Sequence, residues 1–125
     1  MATLSFGQGS RTVRTSGWLE TFRAADAWVV AAWGAAAAMA PGTSELSRQL
    51  RRGALECGAS LVAATQCEKA GEKQGYIERA RARLMEARYL LYLSRRFGAI
   101  DSRRYKTLSV QLNRALREVR ARASP

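Results

Sequence analysis

The sequence predicts an all-α fold, an antiparallel up-down four-helix bundle that assembles into an oligomer. Alanine, leucine and arginine dominate the 125 residues, while Val, Ile and Thr are few and scattered, a balance that favours helix over sheet. Apolar residues recur at spacings of three and four through four segments, and the breaks between segments are short and rich in Gly, Pro or capping residues. Hydrophobic residues make up 47% of the chain. A chain of this size buries about two-thirds of its unfolded surface, enough for one core without metal or disulfide staples.

Residues 1–17, "MATLSFGQGSRTVRTSG", are rich in Gly, Ser and Thr and show no period. They are expected to form a flexible arm carrying Arg11 and Arg14, ahead of a bundle spanning 18–123. No basic stretch followed by an apolar one marks a signal peptide. Helix one is expected from Trp18 to Met39, with Trp18, Phe22, Ala25, Val29, Ala32 and Ala36 on its inner face and Trp28 widening it. Pro41 and Gly42 stop it. Its apolar run, "AWVVAAWGAAAAMA" at 27–40, falls short of the ~20 residues a bilayer span needs. A soluble, cytoplasmic chain with no membrane partner is therefore expected.

Helix two starts near Thr43 or Ser44 as N-cap, with Glu45 in its first turn, and buries Leu46, Leu50, Ala54, Cys57 and Leu61. Gly53 and Gly58 mark close packing or a bend. "AGEKQG", residues 70–75, reads as the connector. Helix three, Tyr76 to Phe97, carries the stripe Ile77, Ala80, Leu84, Ala87 and Leu91. Beside it Leu90, Leu93 and Phe97 form a second stripe, wide enough to need another neighbour such as a second subunit. Gly98 suits a left-handed helix end, Asp101 caps helix four, and Ile100 staples onto Tyr105. Leu108, Leu112, Ala115, Leu116 and Val119 complete helix four's inner face.

The charge is uneven. Residues 79–125 hold thirteen of the 21 Lys and Arg but only three acids, Glu86, Asp101 and Glu118. Nearly all of the net charge of +11 sits there, and eighteen of the 21 cations are arginine. Guanidinium groups fork onto phosphate oxygens and stack on bases, so this half of the chain fits a nucleic acid or another polyanion. Arg81, Arg88 and Arg95 repeat every seven residues along helix three. On helix four Arg103, Lys106, Arg114, Arg117 and Arg120 lie off the leucine stripe, with Arg96 and Arg104 at the corner between the helices. These ten are the candidate nucleic-acid contacts. Tyr92, beside the Arg88–Arg95 line, reads either as the rim of the core or as a surface for an unpaired base. A groove-reading helix-turn-helix is disfavoured, because its recognition helix is short and crosses steeply, whereas these leucine stripes run for several turns.

Chemistry-bearing clusters are sparse. There is no His and no CxxC, so no metal site is expected, nor any cofactor or catalytic residue. Cys57 and Cys67 lie ten residues apart in one predicted helix, about 15 Å along its axis, too far to bridge. Two free thiols fit a reducing compartment.

From about Trp18 to Ala121 the chain resembles the four-helix bundle proteins encoded in ribosomal-RNA intervening sequences. It is also similar to their relative, the accessory variability determinant (Avd) of diversity-generating retroelements. "ELSRQLRRGALECGASL" is similar to the family's second helix through Leu46, Ser47, Gln49, Leu50, Arg51, Arg52 and Ala54. "EARYLLYLSRRFGAIDSRRY" is similar to its third-helix end and turn through Glu86, Leu91, Leu93, Gly98, Ile100 and Tyr105. Gly58 and Ser60 depart from the intervening-sequence pattern, which has Pro and Asn there, and the basicity leans toward the Avd branch. The resemblance implies a homopentamer that associates with a reverse transcriptase and with RNA and cDNA during mutagenic retrohoming, without catalytic activity of its own. Two other readings stand beside it: an intervening-sequence protein acting near ribosomal RNA, and a scaffold whose basic face docks an acidic protein.

Overall fold

The computed structural model describes residues 12–123, with side chains from Gly17 onward. Arg11 and the residues before it lie outside the described residues, as does the side chain of Arg14. Four helices account for nearly everything described: α1 (Thr12–Ala37), α2 (Ser44–Gln66), α3 (Ala70–Arg96) and α4 (Ser102–Arg122). Among the described residues there is no strand. Each helix packs against the next and α4 packs back against α1, while the backbones of the two diagonal pairs do not approach closely. No helix is long and apolar enough to cross a membrane.

Most of the predicted inner stripes line a single core, whereas Phe97 of the second α3 stripe is 62% exposed. Trp28, Leu50, Leu61, Ile77, Leu84, Leu91, Leu112, Leu116 and Val119 are all essentially buried. Helix one turns further than its spacing implied. Trp28 sits at its centre with Ala24, Ala25, Ala32 and Ala35, while Trp18 and Val29 are half-buried at the edges. The alanine tract explains this rotation, since its small side chains let α2 and α4 close over the one large indole. Buried Thr21 shares its one hydroxyl hydrogen between the Gly17 carbonyl at 3.0 Å and the Glu118 carbonyl of α4 at 3.4 Å. Its polar oxygen is thereby satisfied as the α1 and α4 ends meet.

Two boundaries differ from expectation. The α1 backbone is helical from Thr12 rather than Trp18. More consequentially, residues 70–75 are not a connector but the first turns of α3, and the link to α2 is only Cys67–Lys69. Gly71 and Gly75 lower helix propensity there, yet tertiary contacts hold the segment helical. The Lys73 ammonium lies 5.7 Å from the Trp18 ring centre, and the Gln74 amide reaches the Arg122 carbonyl at 3.5 Å. Local preference loses to packing against α1 and α4.

The α3–α4 corner follows its sequence. Gly98 has φ +76°, the left-handed conformation that an L side chain adopts only with strain. Its N–H donates to the Arg95 carbonyl at 3.2 Å and the Ala99 N–H to the Ser94 carbonyl at 2.8 Å, the Schellman pair that closes a helix end. Asp101 then accepts the Arg104 N–H at 2.8 Å as N-cap of α4. Ala99 and Ile100, between the two caps, are buried, and Tyr105 packs against the same core.

Candidate nucleic-acid interface

The seven-residue repeat on α3 places its arginines along the seam with α4. Arg88 Nη2 donates to Asn113 Oδ1 at 3.1 Å, and Arg95 Nη2 to the Ser102 hydroxyl at 3.2 Å. Arg81 is partly covered and pairs with Glu78 at 3.1 Å. At the corner, Arg96 Nη1 donates to the Tyr92 hydroxyl at 3.1 Å. An open groove of about 410 Å³ follows this seam, lined by Arg88, Tyr105, Ser109 and Asn113 above Leu91 and Leu112.

Helix α4 turns its remaining cations away from the core. At about 100° per residue, Arg103, Lys106, Arg114 and Arg117 fall opposite the Leu108–Leu112–Val119 stripe, with Arg120 flanking them on the α3 side. All five are exposed. Their side chains make no ion pair among the described residues. Arg104 departs from the expected corner cluster with Arg96. It reaches the other way, donating from Nη1 to the Gly34 carbonyl of α1 at 3.4 Å, over a shallow groove of about 530 Å³ that Arg103 and Gln111 also line. The ten predicted residues thus form a band from the α3–α4 seam, across the back of α4, to its edge with α1.

Nearby carboxylates do not neutralise this band. Glu86 pairs with Arg83 at 2.9 Å on the α2 side, Asp101 is engaged as a cap, and Glu118 makes no ion pair among the described residues. Of the ten predicted contacts, only Arg81 has a carboxylate partner for its side chain among the described residues. The others that hydrogen-bond do so to neutral acceptors: an amide, two hydroxyls and a backbone carbonyl. A guanidinium carries five N–H donors, so one neutral bond orients it while leaving its charge and most of its donors available.

The other paired cations lie elsewhere. Arg52 and Arg83 converge on Glu56, joining α2 to α3, and Arg48 pairs with Glu45 at 2.7 Å. The hydrogen bond from Arg52, aided by the charge of Arg83, holds the Glu56 carboxyl below its ordinary range. Arg51 lies over the Trp33 ring at 5.5 Å, bridging α2 to α1. Burial pushes the Cys57 thiol up to about 12, so it is protonated and inert in the core. Both cysteines are free. Among the described residues no group of three or more His, Cys, Asp or Glu is gathered as a metal ion would require.

Sequence reasoning missed Tyr89 and left Tyr92 between two readings. Tyr92 is not a rim residue of the core: it is 47% exposed and stacks on Tyr89, which is 62% exposed. The signal was present, since positions 85, 89 and 92 fall one or two helical turns apart on a face that the buried stripe leaves free.

The chain matches no family model, no curated protein and no solved structure.

Proposed function

We propose that this chain is a non-enzymatic, nucleic-acid-binding accessory protein of the cytoplasm, associating with a reverse transcriptase and its template RNA and cDNA in a diversity-generating retroelement. One observation carries the nucleic-acid part: nine of the ten predicted cationic side chains have no carboxylate partner among the described residues, and they share one band across α3 and α4. Closely spaced like charges repel, and a phosphate backbone relieves that repulsion while releasing its own counterions. Contacts of this kind position a strand without reading its sequence.

The reverse-transcriptase association and the homopentamer rest on the resemblance carried by helix two and the α3–α4 corner. An antiparallel up-down arrangement is supported by contacts that join opposite helix ends, Thr21 with Glu118 and Gly34 with Arg104. Subunit contacts are proposed away from the basic band, where Leu19, Val30 and Trp33 of α1 and Leu55 of α2 are exposed.

Binding of a labelled RNA across a salt titration tests this reading. Replacing Arg88, Arg95, Arg114 and Arg117 by Glu is expected to lower affinity by orders of magnitude and flatten the log–log salt slope by about four. Helicity by circular dichroism stays unchanged. A wild-type affinity independent of salt, or a variant that binds as well as wild type, overturns the assignment.

A further inference from the structure

We propose that Tyr89 and Tyr92 form a stacking platform for unpaired bases, so that the basic band takes single strands in preference to duplex. This rests on the nucleic-acid reading above and adds the class of ligand.

The two rings lie one helical turn apart with centroids 6.2 Å apart and planes inclined by only 21°. Neither belongs to the core. Leu84, Ala87 and Leu91 take the inward positions, leaving Tyr89 62% and Tyr92 47% exposed, with Met85 47% exposed beside them. Exposing two adjacent aromatic rings forgoes burial that would otherwise stabilise the bundle. The surroundings indicate what covers them. No acidic residue occurs between Ala87 and Ile100, and Glu86, one turn before Tyr89, has its charge met by Arg83. Arg88 is sequence-adjacent to Tyr89, while Arg96 donates to the Tyr92 hydroxyl and so fixes a cation at the platform's edge.

An aromatic surface rimmed by unneutralised guanidinium groups is complementary to a strand that presents bases and phosphates together. Base faces continue the tyrosine stack, and phosphates meet Arg88 and Arg96. In a duplex the base faces are already covered by their neighbours, so only its phosphates can engage.

Fluorescence anisotropy with two probes of equal length and charge, an oligoadenylate and an abasic strand, separates stacking from charge. Wild type is expected to bind the oligoadenylate more tightly. Tyr89→Ala with Tyr92→Ala is expected to lose about tenfold or more on the oligoadenylate and less than about twofold on the abasic strand. Tyr89→Phe with Tyr92→Phe is expected to retain the preference. Equal wild-type affinity for the two probes overturns the platform and needs no variant, leaving the charge-based reading intact. Absence of salt-dependent binding to either probe overturns that reading as well. A fall in assembly mass of the alanine variant by light scattering would assign the face to a second copy of the chain and overturn the platform.

Discussion

Helix α3 has two seams, and they treat charge in opposite ways. Toward α2, Arg83 meets Glu56 and Glu86, and Arg52 shares Glu56. Toward α4, Arg88 and Arg95 meet Asn113 and Ser102. Both arrangements orient guanidinium groups by hydrogen bonds at similar distances. The first cancels their charge, whereas on the second only Arg81, paired with Glu78, is neutralised. Arginine abundance alone therefore says little about ligand binding, and the identity of the acceptor decides whether a cation is spent within the fold or remains available to a polyanion.

The widest separation between the neutralised and the unneutralised cations is expected from matched charge reversals. Arg114→Glu with Arg117→Glu on α4 changes the net charge by the same amount as Arg48→Glu with Arg52→Glu on α2. In RNA titrations the α4 pair is expected to weaken binding at least about tenfold more than the α2 pair and to lower the salt slope by about two. Equal losses would erase the distinction.

A smaller effect is expected at the corner. Asp101→Ala removes the α4 cap and is expected to cost about 1 kcal/mol in urea denaturation, without lowering RNA affinity. A drop in affinity at full stability would show that this carboxylate acts on the ligand rather than on the helix.

The smallest effect is expected on the paired seam. Because the folded-state pKa of Glu56 is depressed, its stabilisation is complete above the ordinary value of 4.5 and is lost as pH falls through the lower folded-state value. Glu56→Gln is expected to reduce stability slightly at neutral pH and to shrink the difference from wild type in acid, read from thermal melts across that range. It is expected to leave RNA binding unaltered. A Glu56→Gln penalty that persists undiminished in acid would sink the ion-pair account.

Much of the fold was legible because its signals are local. The Leu50–Leu61 and Leu108–Val119 stripes follow from spacing, and Gly98 and Asp101 announce their caps through conformational freedom and a short carboxylate. Residues 70–75 were misread because their glycines argued locally for a connector, whereas Trp18 and Arg122, distant in sequence, keep them helical. Arg81 lost its place among the uncompensated cations to Glu78, an i,i+3 partner that spacing alone could have supplied. The Glu56–Arg83 pair joins residues of different helices, and the outward turn of Arg104 depends on where α1 lies, so neither is written in any short segment.

The Phe97–Asp101 corner has a consequence for phase. With Ala99 and Ile100 anchored in the core and a cap on each side, it admits no slack. One inserted residue carried into α4 would rotate that helix by about 100° relative to its neighbours, swinging the outward cations sideways and dragging leucines into water. The largely exposed Ala38–Thr43 link, outside the band, carries no such constraint on where the charges fall. Five residues thus act as the keyway that times two rods, and the alignment of the cationic band is indexed there.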